Sequence, residues 1–313
     1  MGNADRSALS RAAGAPVTGE VARRVRTFYE RHPFPTYEPT DSPGGLVEKA
    51  QLGVFAALLD RQIPYTARVL DAGCGTGQLP IFLSLVGGRT VVGIDFSYAS
   101  LAEGRRFIQR YGQTRVALLQ MDLFALGLSP ESFDCIISTG VLHHTADPYG
   151  AFRGLCRLLS PGGHILIGLY NRYARIPLRV RRWIFRLAGR RLEWLDYVLR
   201  HSRDETKKHI WFMDQYAHPH ETTHTLDEVM GWFATNGIEC LGVVPRLTPG
   251  APLTPTDRLF EPSPLSTPLG RLLGLLHLGD YVSVYLAALR GVDPLPVKPI
   301  QELKARLARP EKS

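Results

Sequence analysis

The sequence predicts an α/β fold built on a doubly wound, parallel sheet. Three observations carry this reading. Short apolar, β-branched runs recur along the first half of the chain and alternate with helical stretches. The first of them runs through Val69, Leu70 and Asp71 straight into Gly73, Gly75 and Gly77, and then into a helix. Acids stand at the C-terminal ends of the first three strands: Asp71, Asp95 and Asp122. In open parallel sheets that edge is where ligands bind.

The first strand is expected over residues 67–70 and its helix over 78–86. The three glycines let the backbone turn tightly and let a ligand approach the main chain, since no Cβ intervenes. The helix start then offers unpaired N–H groups. A dinucleotide fingerprint would need a glycine at position 78, where this chain has Gln78. The spacing is instead G-x-G-x-G, with Asp71 two residues ahead. A carboxylate there repels a pyrophosphate and suits a ligand with cationic groups. The alternative for the glycines is an ordinary strand-to-helix turn.

The second strand covers residues 90–97, and Asp95 falls 24 positions after Asp71. An acid at that strand end can accept hydrogen bonds from both ribose hydroxyls of a nucleoside. It can equally cap the helix beginning near Tyr98. The third strand covers 116–120 and runs into Asp122 and Leu123. The fourth covers 133–138 and exits through Thr139, Gly140, Val141, Leu142, His143 and His144. A helix end, a Pro161-Gly162-Gly163 turn and the fifth strand follow. Later, a helix over 226–235 closes on Asn236-Gly237, a sixth strand is expected over 238–244, and a closing strand over 281–289.

Ahead of the sheet, a helix over 20–29 leads into an arm where Pro33 and Pro35 alternate with aromatics. The residue before each proline is held extended, so the arm can lay Tyr29 and Tyr37 over a pocket; otherwise it is a linker with a hydrophobic anchor. A single helix over 46–59 leads to the first strand.

This set of strand ends resembles the class I S-adenosylmethionine (SAM)-dependent methyltransferases of the type 11/12 kind, over about residues 65–170. The resemblance implies a seven-stranded Rossmann-like methyltransferase sheet with an inserted helical lid, its last strand antiparallel. It also implies SAM as cofactor. Asp71, Gly73, Gly75 and Gly77 would cradle the methionine end, Asp95 and Phe96 the ribose, and Asp122 and Leu123 the adenine. Thr139 and Val141 would line the pocket near the sulfonium. The arm (Tyr29-x-x-x-Pro33-Phe34-Pro35) and Asp214-x-Tyr216-x-His218-Pro219 are similar to segments in a bacterial subset of these enzymes.

The expected organisation is therefore an extension and arm (1–45), a SAM-binding core (46–170), an inserted basic helical lid (171–224), the rest of the core sheet (225–290) and a tail (291–313). The 313 residues suffice for one such domain with insertions. No apolar run reaches the roughly 20 residues of a spanning helix, and no apolar signal core opens the chain, so a cytoplasmic location is expected. The four cysteines stand singly, as reduced thiols do. The net charge of +8 admits an anionic partner.

Residues 171–200 hold nine arginines against Glu193 and Asp196. Arg179, Arg182, Arg186 and Arg190 recur at helical spacing beside Leu178, Trp183, Ile184 and Leu187. Such a helix is a solvated lid packing through its apolar side, or it meets RNA phosphate or an acidic membrane surface. His220-Glu221-Thr222-Thr223-His224 matches the zinc-protease pattern, which works only on a helix. Pro219 and the two threonines argue for extended chain, so no metal is expected. Candidate acceptor contacts are Tyr29, Tyr37, Tyr170, Asp214, Tyr216, His218 and His220; the last four can also form a polar loop satisfying its own backbone. Methyl transfer needs positioning and water exclusion first, with His143 and His144 as candidate bases. The fourth strand lacks the Asn/Asp-Pro-Pro-aromatic signature of base N-methyltransferases. The expected activity is thus methyl transfer to a small molecule. The alternatives are an RNA methyltransferase and a SAM-binding protein without turnover.

Overall fold

The computed structural model describes residues 19–37, 41–188, 196–201, 205–243 and 253–261. Ahead of the sheet lie three helices, α1 (Glu20–Arg31), α2 (Pro43–Leu52) and α3 (Val54–Gln62). The single helix expected over 46–59 is two, broken at Gly53, whose backbone is extended (φ −89°, ψ 111°). Glycine loses more conformational entropy on entering a helix than any other residue, so the break falls there.

The sheet region alternates strictly: β1 (Arg68–Ala72), α4 (Gln78–Leu85), β2 (Thr90–Asp95), α5 (Tyr98–Tyr111), β3 (Val116–Gln120), β4 (Phe133–Thr139), α6 (Pro148–Cys156) and β5 (Leu159–Gly168). The order across the sheet is β3-β2-β1-β4-β5, and every pairing is parallel. Successive β1 side chains point to opposite faces. Val69 joins the core beneath α3, α4 and α5, while Leu70 joins the core shared with α6. Both are fully buried, as a sheet covered on two sides requires. The strand order reverses between β1 and β4, so the C-terminal end of β1 opens on the crevice where such sheets bind ligands.

Five strands are found among the described residues, not seven. Residues 238–243, expected to begin the sixth strand, do not join the sheet. After α10 (Leu226–Thr235), Ile238 N–H instead donates to Phe233 O (2.9 Å) and Gly237 N–H to Ala234 O (3.3 Å), with Gly237 at φ +66°. These bonds close the helix end, and Ile238 packs against the core cluster that includes Trp232. Alternating apolar residues satisfy a strand's pattern, but a strand exists only where its backbone pairs. The closing strand expected over 281–289 lies outside the described residues. The Pro161-Gly162-Gly163 turn sits within β5, where the pairing with β4 shifts register.

Between Asn171 and His224 the chain makes an excursion through α7 (Ile176–Ala188), α8 (Tyr197–His201) and α9 (Glu205–Tyr216). It leaves and returns on one bridge: His224 N–H donates to Tyr170 O (2.9 Å) and Arg172 N–H to His224 O (3.0 Å).

Candidate functional site

The glycine turn after β1 is held from both sides. Gly73, Gly75 and Gly77 have φ of +83°, +55° and +80°, values that L side chains rarely adopt. A Cβ on Gly73 would stand 2.2 Å from the Val141 side chain, and one on Gly75 would stand 2.2 Å from Phe34 O. The N–H groups of Gly73 and Cys74 both donate to Ile94 O (2.7 and 3.0 Å), locking the turn to β2.

The acids at the strand ends converge here. Asp95 accepts from Gly75 N–H at one carboxylate oxygen and from Ser97 N–H at the other, each at 2.8 Å. It does not cap α5; Ser97 does, accepting from Ser100 N–H (3.2 Å). Asp71 is buried. Burial, and then the charge of Asp95, push its carboxyl up from 3.8 to about 7. Burial pushes Asp95 up to about 6, against the backbone N–H bonds from Ser97, Gly75 and Phe96 that favour its charge. Two carboxylates that lack solvent and repel one another are relieved by a cation. Asp122, half-buried, accepts from Phe124 N–H (3.0 Å) beside Leu123. Thr139 ends β4 against Gly168, and Gln120 braces Phe96 by donating to its carbonyl (3.0 Å).

The N-terminal arm straps this turn from outside. Glu30 accepts from the Tyr98 and Ala99 N–H groups, both at 2.8 Å, and so satisfies two free donors at the start of α5. Sequence reasoning missed this contact, because the partners lie 68 and 69 residues apart. Thr76 donates its N–H to Phe34 O (3.3 Å) and its hydroxyl to Pro35 O (2.5 Å). Tyr37, a candidate acceptor contact, joins the strap: its hydroxyl donates to Thr76 O (3.1 Å) and its ring stacks on Phe107 (4.9 Å).

A wall of aromatic rings leads away from β2. Tyr29 lies 6.5 Å from Phe96 and 5.8 Å from His218, and His218 lies 3.7 Å from His144. His144 lies 4.2 Å from His143, which in turn lies 3.7 Å from Tyr170. Arg175 covers Tyr170 from above, 3.3 Å from its ring centre. His144 Nδ1 is 2.8 Å from His220 O, and since a carbonyl only accepts, that nitrogen carries the proton. His220 Nε2 donates likewise to Thr145 O (3.2 Å). His143 differs from these. It is fully buried, and neither ring nitrogen has a hydrogen-bond partner among the described residues. Burial, with the charges around it, holds its pKa well below the usual histidine range, so the ring is neutral.

The segment after α9 is stitched to this wall. Thr222 donates both its N–H (2.7 Å) and its hydroxyl (3.1 Å) to His143 O. The His220-to-His224 stretch is not helical. Glu221 accepts two bonds from Arg182 (2.6 and 2.8 Å), while His224 bridges Thr222 (2.9 Å) and Glu228 (2.8 Å). Tyr216 does not reach the wall. Its hydroxyl donates to Asp196 (2.5 Å), and its ring packs on Phe185 (4.7 Å) inside the excursion. The Asp214 side chain lies outside the described residues.

A sequence-family profile described as a methyltransferase domain matches residues 70–167, from β1 to the end of β5. A second, described as the bacterial phospho-glucose isomerase C-terminal SIS domain, matches residues 262–307, outside the described residues. An uncharacterized protein of Synechococcus is 29% identical over 74% of this chain and 62% of its own. A ubiquinone biosynthesis O-methyltransferase of Paracidovorax citrulli is 34% identical over 34% of this chain and 45% of its own. For a 2-phytyl-1,4-naphtoquinone methyltransferase of Thermosynechococcus vestitus the values are 38%, 34% and 47%. The chain thus spans less than two thirds of the length of each of these relatives.

Proposed function

Residues 70–167 belong to the class I SAM-dependent methyltransferases, and from that premise we propose that this protein moves a methyl group from SAM to a small-molecule acceptor. The observation that carries the reading is the Asp71–Asp95 pair beside a glycine turn with no room for a Cβ. A ligand bearing a sulfonium and an ammonium relieves that pair. Asp95, already oriented by Gly75 and Ser97, keeps lone pairs for ribose hydroxyls. Asp122 and Leu123 flank the adenine, and Thr139 and Val141 the sulfonium end.

When bound, SAM supplies a methyl group activated for in-line displacement. What the chain adds is position and dryness. The rings of Tyr29, His218, His144, His143 and Tyr170 form an apolar surface for the acceptor. Neutral His143 offers an unpartnered nitrogen in a buried site, where a hydrogen bond is worth most. It can accept a hydrogen bond from the acceptor's hydroxyl, which orients that oxygen for attack. His144 braces the opposite face through His220. The name of one relative, a ubiquinone biosynthesis O-methyltransferase, supports an oxygen acceptor, and that of another, a 2-phytyl-1,4-naphtoquinone methyltransferase, supports a ring-bearing one. RNA is not favoured: Arg175, Arg181 and Arg182 of the basic stretch turn inward onto Glu221 and Asp196.

Radiolabelled SAM incubated with fractionated cell extract tests the reading. Label should appear in small molecules extracted into organic solvent. Label in RNA, or tight SAM binding with no labelled acceptor in any fraction, would overturn it.

The pH dependence follows from the two acids. SAM needs both ionised, so its affinity should rise by about twentyfold between about pH 6 and about pH 8 and then level off. Calorimetric titration across that range reads it directly. Stability runs the other way. Both pKa values are raised above 3.8, to about 7 and about 6, so the ligand-free fold holds protons that the unfolded chain releases. Its stability therefore falls as pH climbs from about 4 to about 7. The thermal shift produced by SAM should be larger at about pH 8 than at about pH 6.

A further inference from the structure

Helix α7 has two unlike faces. Leu178 and Phe185 turn inward, 5% and 8% exposed, and Arg182 ends on Glu221. On the opposite side Ile176, Val180, Trp183 and Leu187 are 51%, 51%, 63% and 69% exposed. Their spacing of four, three and four residues stacks them in one stripe along the helix. Arg179, also exposed, stands at the edge of the stripe. Arg172 lies one turn before α7; half its side chain is exposed, and its inner side meets Glu228. Tyr173, 45% exposed, flanks the other edge.

A helix solvated on its outer face would carry polar residues there. This one carries its largest apolar side chains, including a tryptophan, beside arginines. That is the composition of a helix lying in a bilayer interface. A nucleic acid would use the arginines but leave the four apolar side chains in water. A second copy across a twofold axis would bring the same arginines together, like charge against like. We propose that α7 docks on an anionic lipid surface. Ile176, Val180, Trp183 and Leu187 enter the headgroup–acyl boundary while Arg179 and Arg172 meet lipid phosphates. An amphipathic helix lying in the interface makes a peripheral, reversible contact. Arg175, on the turn leading into α7, packs on Tyr170, so docking brings the aromatic wall close to the lipid. Only that last consequence rests on the proposed methyl transfer.

The full-length protein, without SAM, is co-sedimented with vesicles of phosphatidylcholine alone and with phosphatidylglycerol added, at low and high salt. Binding should require the anionic lipid and weaken with salt. The double variant Trp183→Ser/Leu187→Ser should weaken it by about tenfold or more with an unchanged thermal midpoint. Several results would overturn the proposal. One is the absence of vesicle binding; another is binding indifferent to the double variant. A midpoint lowered by several degrees without vesicle binding would mean that the chain itself covers the stripe. Self-association abolished by the variant, or retention on RNA homopolymer in place of vesicles, would assign the face to a second copy or to nucleic acid. Because the assay needs neither SAM nor turnover, its failure leaves the methyltransferase reading standing.

Discussion

Asp71→Asn should lower SAM affinity by roughly 30- to 150-fold and leave the protein as stable as before, or more so. The carboxylate is buried, and its charge is opposed by burial and by Asp95. Asparagine keeps the shape and removes the repulsion, so the fold loses nothing. The ligand loses a charge-assisted contact in a site of low dielectric, which is worth ~2–3 kcal/mol, and that converts to the stated factor. Asp95→Asn should weaken binding similarly but also loosen the turn, because Gly75 and Ser97 both donate to that carboxylate. Calorimetry with SAM beside a thermal melt of each variant separates the two effects. Wild-type affinity in a folded Asp71→Asn protein would remove the electrostatic basis of the site.

Gly75→Val should abolish detectable SAM binding and lower the thermal midpoint. At φ +55° a β-branched residue is strained before any contact is counted. Its Cβ would then meet Phe34 O at 2.2 Å, a backbone atom held in place by the strap between Thr76 and residues 34–35. Either the arm leaves or the turn deforms, at a cost of ~2–4 kcal/mol. Gly112→Ala is the control. That glycine is also left-handed, at φ +63°, but nothing lies within 4 Å of its added Cβ. Strain alone should cost it about 1 kcal/mol and leave SAM binding intact. Equal losses in the two variants would show that the strap does not matter.

Much of the cofactor side could be read from the chain alone. Glycine spacing, apolar runs and acids at strand ends are local signals, and each states a backbone need that neighbouring residues either meet or fail. The five parallel strands and the convergence of Asp71, Asp95 and Val141 follow from them. The proposed acceptor side was less legible. Tyr37 and Tyr216 carry the same chemistry as Tyr29 and Tyr170, yet the first braces Thr76 and the second serves Asp196. A phenol donates to whichever acceptor tertiary closure brings near, and no local pattern names that acceptor. The same holds for Arg89, a cation that is fully buried and spent on Asp60 and nearby carbonyls.

By itself, then, the amino-acid order determined the five parallel strands and the acids at their C-terminal edge, because periodicity and backbone sterics act within a few residues. Only the tertiary structure decided which rings form the wall, that Glu30 caps a helix from 68 residues away, and which arginines turn inward. Those outcomes depend on partners brought together by chain closure, and a side chain's role is set by the group it meets, not by its own type.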